Sequence, residues 1–269
     1  MARFEEKLVA ESRRVISMGP ALSVPEVSAD QRVISLAACA YLQIRNKILK
    51  GELPVGLALS RRHLAAELNI SVPPVTEALQ QLEAEGLLES KPRVGTRVRI
   101  PTRQDIVDRS IVREALEIQA ARLFVEQATP AEKQELRQMG RQMDQLYACC
   151  EAETVDRDFL FSANIYHMQL HLRIAECARC PALRDAIEKE QVLVFSWIYD
   201  MSARRRTLGA DFHTRLTEVL ATGTPAEADA AIRHHIHFGL REVLGKFDLV
   251  RDTGQSWRPK KRLPMRKAS

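Results

Sequence analysis

Ser60-Arg61-Arg62-His63-Leu64-Ala65-Ala66-Glu67-Leu68-Asn69-Ile70-Ser71-Val72-Pro73-Pro74-Val75-Thr76-Glu77-Ala78-Leu79-Gln80-Gln81-Leu82 decides how this chain folds at its N-terminal end. Ser60 can cap a short helix over 61–68, and Asn69 can end it. Ser71 can cap the next helix. Pro73 and Pro74 then fall in a first turn whose N–H groups have no intrahelical partner anyway. That second helix runs through Val75, Leu79 and Leu82 to Gly86. Upstream, Leu36, Tyr41, Ile44, Ile48 and Leu49 recur at helical spacing over 34–50, and Gly51 is a stop. Downstream, 87–91 and 96–100 predict two strands around Pro92-Arg93-Val94-Gly95.

Helix, short turn, helix and basic hairpin, in that order, predict a winged helix-turn-helix that meets double-stranded DNA. The second helix of such a pair enters the major groove by its N-terminal end. The expected reading surface is Arg61, Ser71, Val75, Thr76 and Gln80. Lys91, Arg93 and Arg97 on the wing would lie along the phosphates. Charge supports the division, at +4 over residues 31–100, −4 over 101–250 and +6 over 251–269, within a net charge of +5. The expected domains are an arm (1–30), the reader (31–100), a helical unit (101–250) and a basic tail (251–269).

From Pro101 onward no segment reads as a strand. Thr129-Pro130-Ala131-Glu132 and Thr224-Pro225-Ala226-Glu227 are capping boxes with proline at the first helical position. Helices are expected near 104–127, 130–150, 154–178, 182–206, 210–222 and 225–246. The fold class is therefore mainly α, a winged helix-turn-helix followed by an antiparallel helical bundle. No apolar run approaches the roughly 18 residues of a membrane span. The mixed N-terminus lacks a signal peptide's apolar core, so a cytoplasmic protein is expected. Five cysteines do not suggest a disulfide framework.

Six of the seven histidines follow residue 166. His167 and His171, four apart, share one helix face. His213 lies with Leu216 and Leu220, and His235 with Ile232 and Val243, on inner faces of two further helices. Buried imidazoles need partners, and four converging from three helices suit a divalent transition metal, zinc or nickel. A metal-dependent hydrolase is the alternative, since His167-Met168-Gln169-Leu170-His171 has the two-histidine spacing of zinc proteases. Met168 argues against it, because those enzymes place a glutamate there as general base. Cys177-Ala178-Arg179-Cys180 has no second pair and reads as a helix end.

Residues 34–100 resemble the GntR family of bacterial transcription regulators. Leu53-Pro54-Val55-Gly56-Leu57-Ala58-Leu59-Ser60, Leu64-Ala65-Ala66-Glu67-Leu68-Asn69-Ile70-Ser71, Pro74-Val75-Thr76-Glu77-Ala78-Leu79 and Leu82-Glu83-Ala84-Glu85-Gly86-Leu87 carry the likeness. Arg62 fits an arginine position of the family, while Val72 and Thr76 stand where arginines are usual. The resemblance thus implies an altered operator preference. Residues 106–245 are similar to the FCD ligand-binding domain of the FadR branch. Val112-Arg113-Glu114-Ala115-Leu116-Glu117 fits its first helix, and His171, His213 and His235 fit its metal ligands. His167 stands where the family usually has aspartate. The resemblance implies a regulator whose metal helps to hold a small organic acid effector, with Arg113 lining the same cavity. A homodimer on a near-palindromic operator is expected, because twofold proteins match twofold sites.

Overall fold

The computed structural model describes residues 35–91, 93, 95–150, 157–201 and 209–252. The expected arm, Arg204-Arg205-Arg206 and the tail beyond Asp252 lie outside them. Helix α1 (Leu36–Leu49) starts at Ser35, whose side chain accepts the Ala38 N–H, and stops before Gly51 at φ 67°. β1 (Ala58–Leu59) precedes α2 (Arg61–Leu68) and α3 (Val72–Ala84). Ser60 caps α2 by accepting the His63 N–H, and Asn69 ends it at φ 54°. Ser71 occupies the N-cap position of α3 but makes no side-chain cap bond there, which corrects the expected cap. The prolines in that first turn already remove N–H donors that a cap would satisfy.

The wing is β2 (Leu88–Lys91) and β3 (Gly95–Val98), antiparallel, with β1 paired on the other edge of β3. β1 escaped the sequence because two residues carry no alternation to read; pairing with β3 creates it. Ile44, Ile48, Leu64, Val75, Leu79, Leu82, Leu88 and Val98 close the reader's core.

Helix α4 (Arg103–Gln127) follows the wing directly. Thr102 and Asp105 form a capping box, and Arg99 from the end of the wing also reaches Asp105 at 2.6 Å. Helices α5 (Pro130–Cys150), α6 (Arg157–Cys177), α7 (Pro181–Met201), α8 (Phe212–Thr222) and α9 (Pro225–Asp252) complete the bundle. The capping boxes at Thr129 and Thr224 are both formed. α4 packs against α9, α7 and α6, while α5 packs against α8 and α6. Phe124, Leu136, Met143, Leu146, Leu170, Ile174 and Leu220 fill the interior. α9 runs to Asp252, past the expected end at 246, so the predicted tail begins inside a helix. Among the described residues no helix is long and apolar enough to cross a membrane.

Candidate metal centre and DNA-reading surface

Four histidines from three helices meet in the bundle. His167 and His171 come from α6, His213 from the first turn of α8 and His235 from α9. The Nε2 atoms of His167, His171 and His235 form a triangle with sides of 3.0, 3.1 and 3.2 Å. The His213 ring centroid lies 5.1 Å from that of His167 and 5.4 Å from that of His235. Ligating nitrogens of His167, His213 and His235 all lie within 4.8 Å of one another. His171, His213 and His235 are buried and His167 is half-buried.

Two buried carboxylates stand behind these rings. Glu117 Oε2 of α4 is 2.7 Å from His171 Nδ1. Asp144 Oδ1 of α5 is 2.7 Å from His213 Nδ1. Each carboxylate favours the tautomer with its proton on Nδ1, which leaves the Nε2 lone pair for another partner. Burial works to raise both carboxyl groups and is overcome. Arg113 and His171 hold Glu117 well below the usual carboxylate range, and the His213 ring and α8 N–H groups hold Asp144 down.

Asp144 also accepts the backbone N–H groups of His213 and Thr214, each at 2.9 Å. Asp211, at the α8 N-cap position, makes no cap bond of its own. A carboxylate from α5 therefore caps α8 and orients its histidine together. Tyr147 stacks on His213, with centroids 5.3 Å apart, and Phe212 stacks on His235 at 5.1 Å.

Close approach of α5 and α8 depends on Gly140. A Cβ there would lie 2.2 Å from Thr217 Oγ1 and 2.9 Å from the His213 carbonyl oxygen. Thr217 is fully buried and its Cγ2 also lies 2.9 Å from that position, so neither it nor the α8 backbone has room to move aside. Gly140→Ala is expected to destabilise the fold by about 1–3 kcal/mol through overpacking. Gly239→Ala on α9, where a Cβ meets nothing within 4 Å, is the control and gains helix propensity. Thermal denaturation of the two variants checks the contrast.

The donor set fits a first-row divalent ion. Imidazole nitrogens about 2.0–2.1 Å from one ion lie about 2.9–3.4 Å apart, depending on geometry, and the observed triangle falls within that span. Three ring nitrogens in mutual contact cannot all be paired by hydrogen bonds lying between them; a cation satisfies all three lone pairs together. His234 and His237 are exposed, and His237 pairs with Glu114 at 2.6 Å. Cys177 is buried at the end of α6, and burial pushes its thiol up to about 11, which disfavours the reactive thiolate.

On the reader, Arg61, Arg62, Ser71, Gln80, Lys91 and Arg93 are exposed and Thr76 is partly so. The Thr76 hydroxyl donates to the Val72 carbonyl at 3.1 Å. Val75 does not belong to this surface. It is fully buried in the reader's core, since α3 turns that residue toward Leu79 and Leu82. Arg97 is also less available than expected, because Glu89 across the hairpin holds its Nε at 2.6 Å.

Comparison with known proteins agrees with this architecture. Residues 36–98 match the profile of bacterial regulatory proteins of the gntR family, and residues 110–238 match the FCD domain. A probable D-xylose utilization operon transcriptional repressor from Paenarthrobacter nicotinovorans is 31% identical over 192 residues, covering 71% of this chain and 80% of the relative. The chain belongs to the GntR family. The Nta operon transcriptional regulator of Aminobacter aminovorans is 27% identical over 70% of this chain and 85% of its own. Among solved structures, E. coli McbR/YncC superposes with a TM-score of 0.65 at 20% identity, covering 80% of this chain and 99% of that one. It shares the fold. This GntR-family chain is thus a transcriptional regulator, and the metallohydrolase alternative finds no support in the family or its relatives.

Proposed function

We propose that this regulator carries one divalent transition metal, zinc or nickel, on His167, His171, His213 and His235, and that a small organic acid at that site modulates operator binding. The Nε2 triangle, with carboxylates behind His171 and His213, is the observation that carries the reading. The bound metal would supply a Lewis-acid position for an anionic oxygen. Four neutral imidazoles leave its charge less neutralised than a set containing aspartate, which favours an anionic ligand.

A homodimer would place two readers on a near-palindromic operator, with Thr76 and Gln80 reading base edges and Lys91 and Arg93 on phosphates. One turn of α7 faces both units. Gln191 contacts Glu117 at 3.3 Å, and Glu188 reaches Arg45 of α1 at 3.5 Å. A ligand regulates by this route only if it binds the DNA-competent and incompetent states differently. Thermal-shift screening with organic acids, with and without a chelator, tests the reading. Stabilisation by a class of acids that vanishes with the chelator is the expected result. Equal shifts in both conditions would contradict metal-dependent effector binding.

A further inference from the structure

Arg113 was expected at the effector, but its contacts lead elsewhere. Its Nε and Nη2 each lie 2.9 Å from Glu117 Oε1. Gln191 donates to that same oxygen at 3.3 Å. The other oxygen, Oε2, meets His171 Nδ1 at 2.7 Å. Both side chains of the Arg113–Glu117 pair are largely withdrawn from solvent. Glu117 thus divides its two oxygens, one toward the arginine and the glutamine, the other toward the histidine.

We infer that Arg113 is a positioning residue for the metal centre that acts through Glu117 on His171, rather than an effector contact. The inference rests on the metal reading above. The Nε–H of Arg113 donates to Oε1, Nη2 adds an ion-pair contact and Gln191 donates to the same oxygen, so that end of the carboxylate is anchored. The second oxygen is thereby kept 2.7 Å from Nδ1, a close charge contact without hydrogen-bond geometry, and its charge favours the ring orientation that turns Nε2 toward His167 and His235. Arg113 and Glu117 are four apart on α4, so a single helical turn supplies both parts. His213 has its own carboxylate, Asp144, with backbone N–H groups in place of the arginine. Two histidines from two helices therefore each have a carboxylate at Nδ1, His213 through a hydrogen bond and His171 through a close charge contact.

The test is zinc affinity, measured by competition with a chromophoric chelator on full-length, metal-stripped protein. The variants are Arg113→Ala, Arg113→Lys, Glu117→Gln and the double variant Arg113→Ala/Glu117→Gln. Loss of a partner that orients a metal-bound histidine typically weakens binding about 10–100-fold. Glu117→Gln and Arg113→Ala are each expected within that range. Arg113→Lys, which keeps the charge but not the planar fork, is expected to recover part of the loss, and it keeps the test in force if the alanine variant does not fold. The double variant is expected to bind zinc no more weakly than Glu117→Gln alone, because both changes break one chain. Fully additive losses, or wild-type zinc affinity in Arg113→Ala, would overturn the inference and leave the metal reading intact. Wild-type protein that takes up no zinc would instead overturn the metal reading itself.

Discussion

Replacing His213 or His235 with alanine is expected to weaken divalent-metal binding by more than the roughly 100-fold upper range for losing an outer hydrogen-bonding partner. Each substitution removes a donor nitrogen itself. The rings stacked against these histidines supply no replacement imidazole. Tyr147 stacks on His213 and Phe212 on His235, and neither ring offers an imidazole nitrogen in place of the lost one. His213→Ala carries a second consequence. It strips one donor from the buried Asp144 carboxylate, which keeps the two backbone N–H groups of α8. His167→Ala is expected to fall with the others, since its Nε2 lies 3.0 Å from that of His235 and 3.2 Å from that of His171. Metal titration of the three variants, with helical content monitored by circular dichroism, checks this. Full retention of metal by His167→Ala would mark a three-histidine site of His171, His213 and His235.

The second large effect is on DNA. Lys91→Ala and Arg93→Ala are expected to weaken binding on every sequence alike. Each should also reduce the slope of log affinity against log salt by about one, because each removes a phosphate contact and its released counterion. Arg97→Ala should do less, as Glu89 already neutralises that guanidinium across the hairpin. Substitutions at Gln80 and Thr76 should instead shift the preferred base, by about 1–3 kcal/mol per altered contact. Fluorescence anisotropy on an operator and a scrambled duplex, over a salt series, separates the two classes. Uniform losses from both would place α3 outside the groove.

The reader was legible because its signals are local. Ser60, Asn69, Gly51 and the two prolines each act within a turn of where they sit. Val75 was misplaced because sequence gives the period of a helix but not which flank of the apolar stripe a marginal residue joins. Packing against Leu79 and Leu82 decided that. The histidines were legible from spacing on their own helices. Their carboxylate partners were not assigned, because Glu117 and Asp144 come from other helices, and sequence does not say which faces meet. A signal existed nonetheless. Glu117 interrupts a buried stripe of Ser110, Ala120, Ala121 and Phe124, and Asp144 adjoins one of Leu136, Met143 and Tyr147. An acid on an apolar face needs a buried donor, and Arg113 four residues before Glu117 as well as the histidines were donors within reach. β1 and the cap that Asp144 provides for α8 are tertiary products with no local signature.

The central claim is tested most directly by elemental analysis of full-length protein purified without an affinity tag, before and after dialysis against zinc or nickel. The account predicts one divalent transition metal per chain, lost from His213→Ala and His235→Ala. Wild-type protein with no metal as isolated and no uptake on dialysis would contradict it.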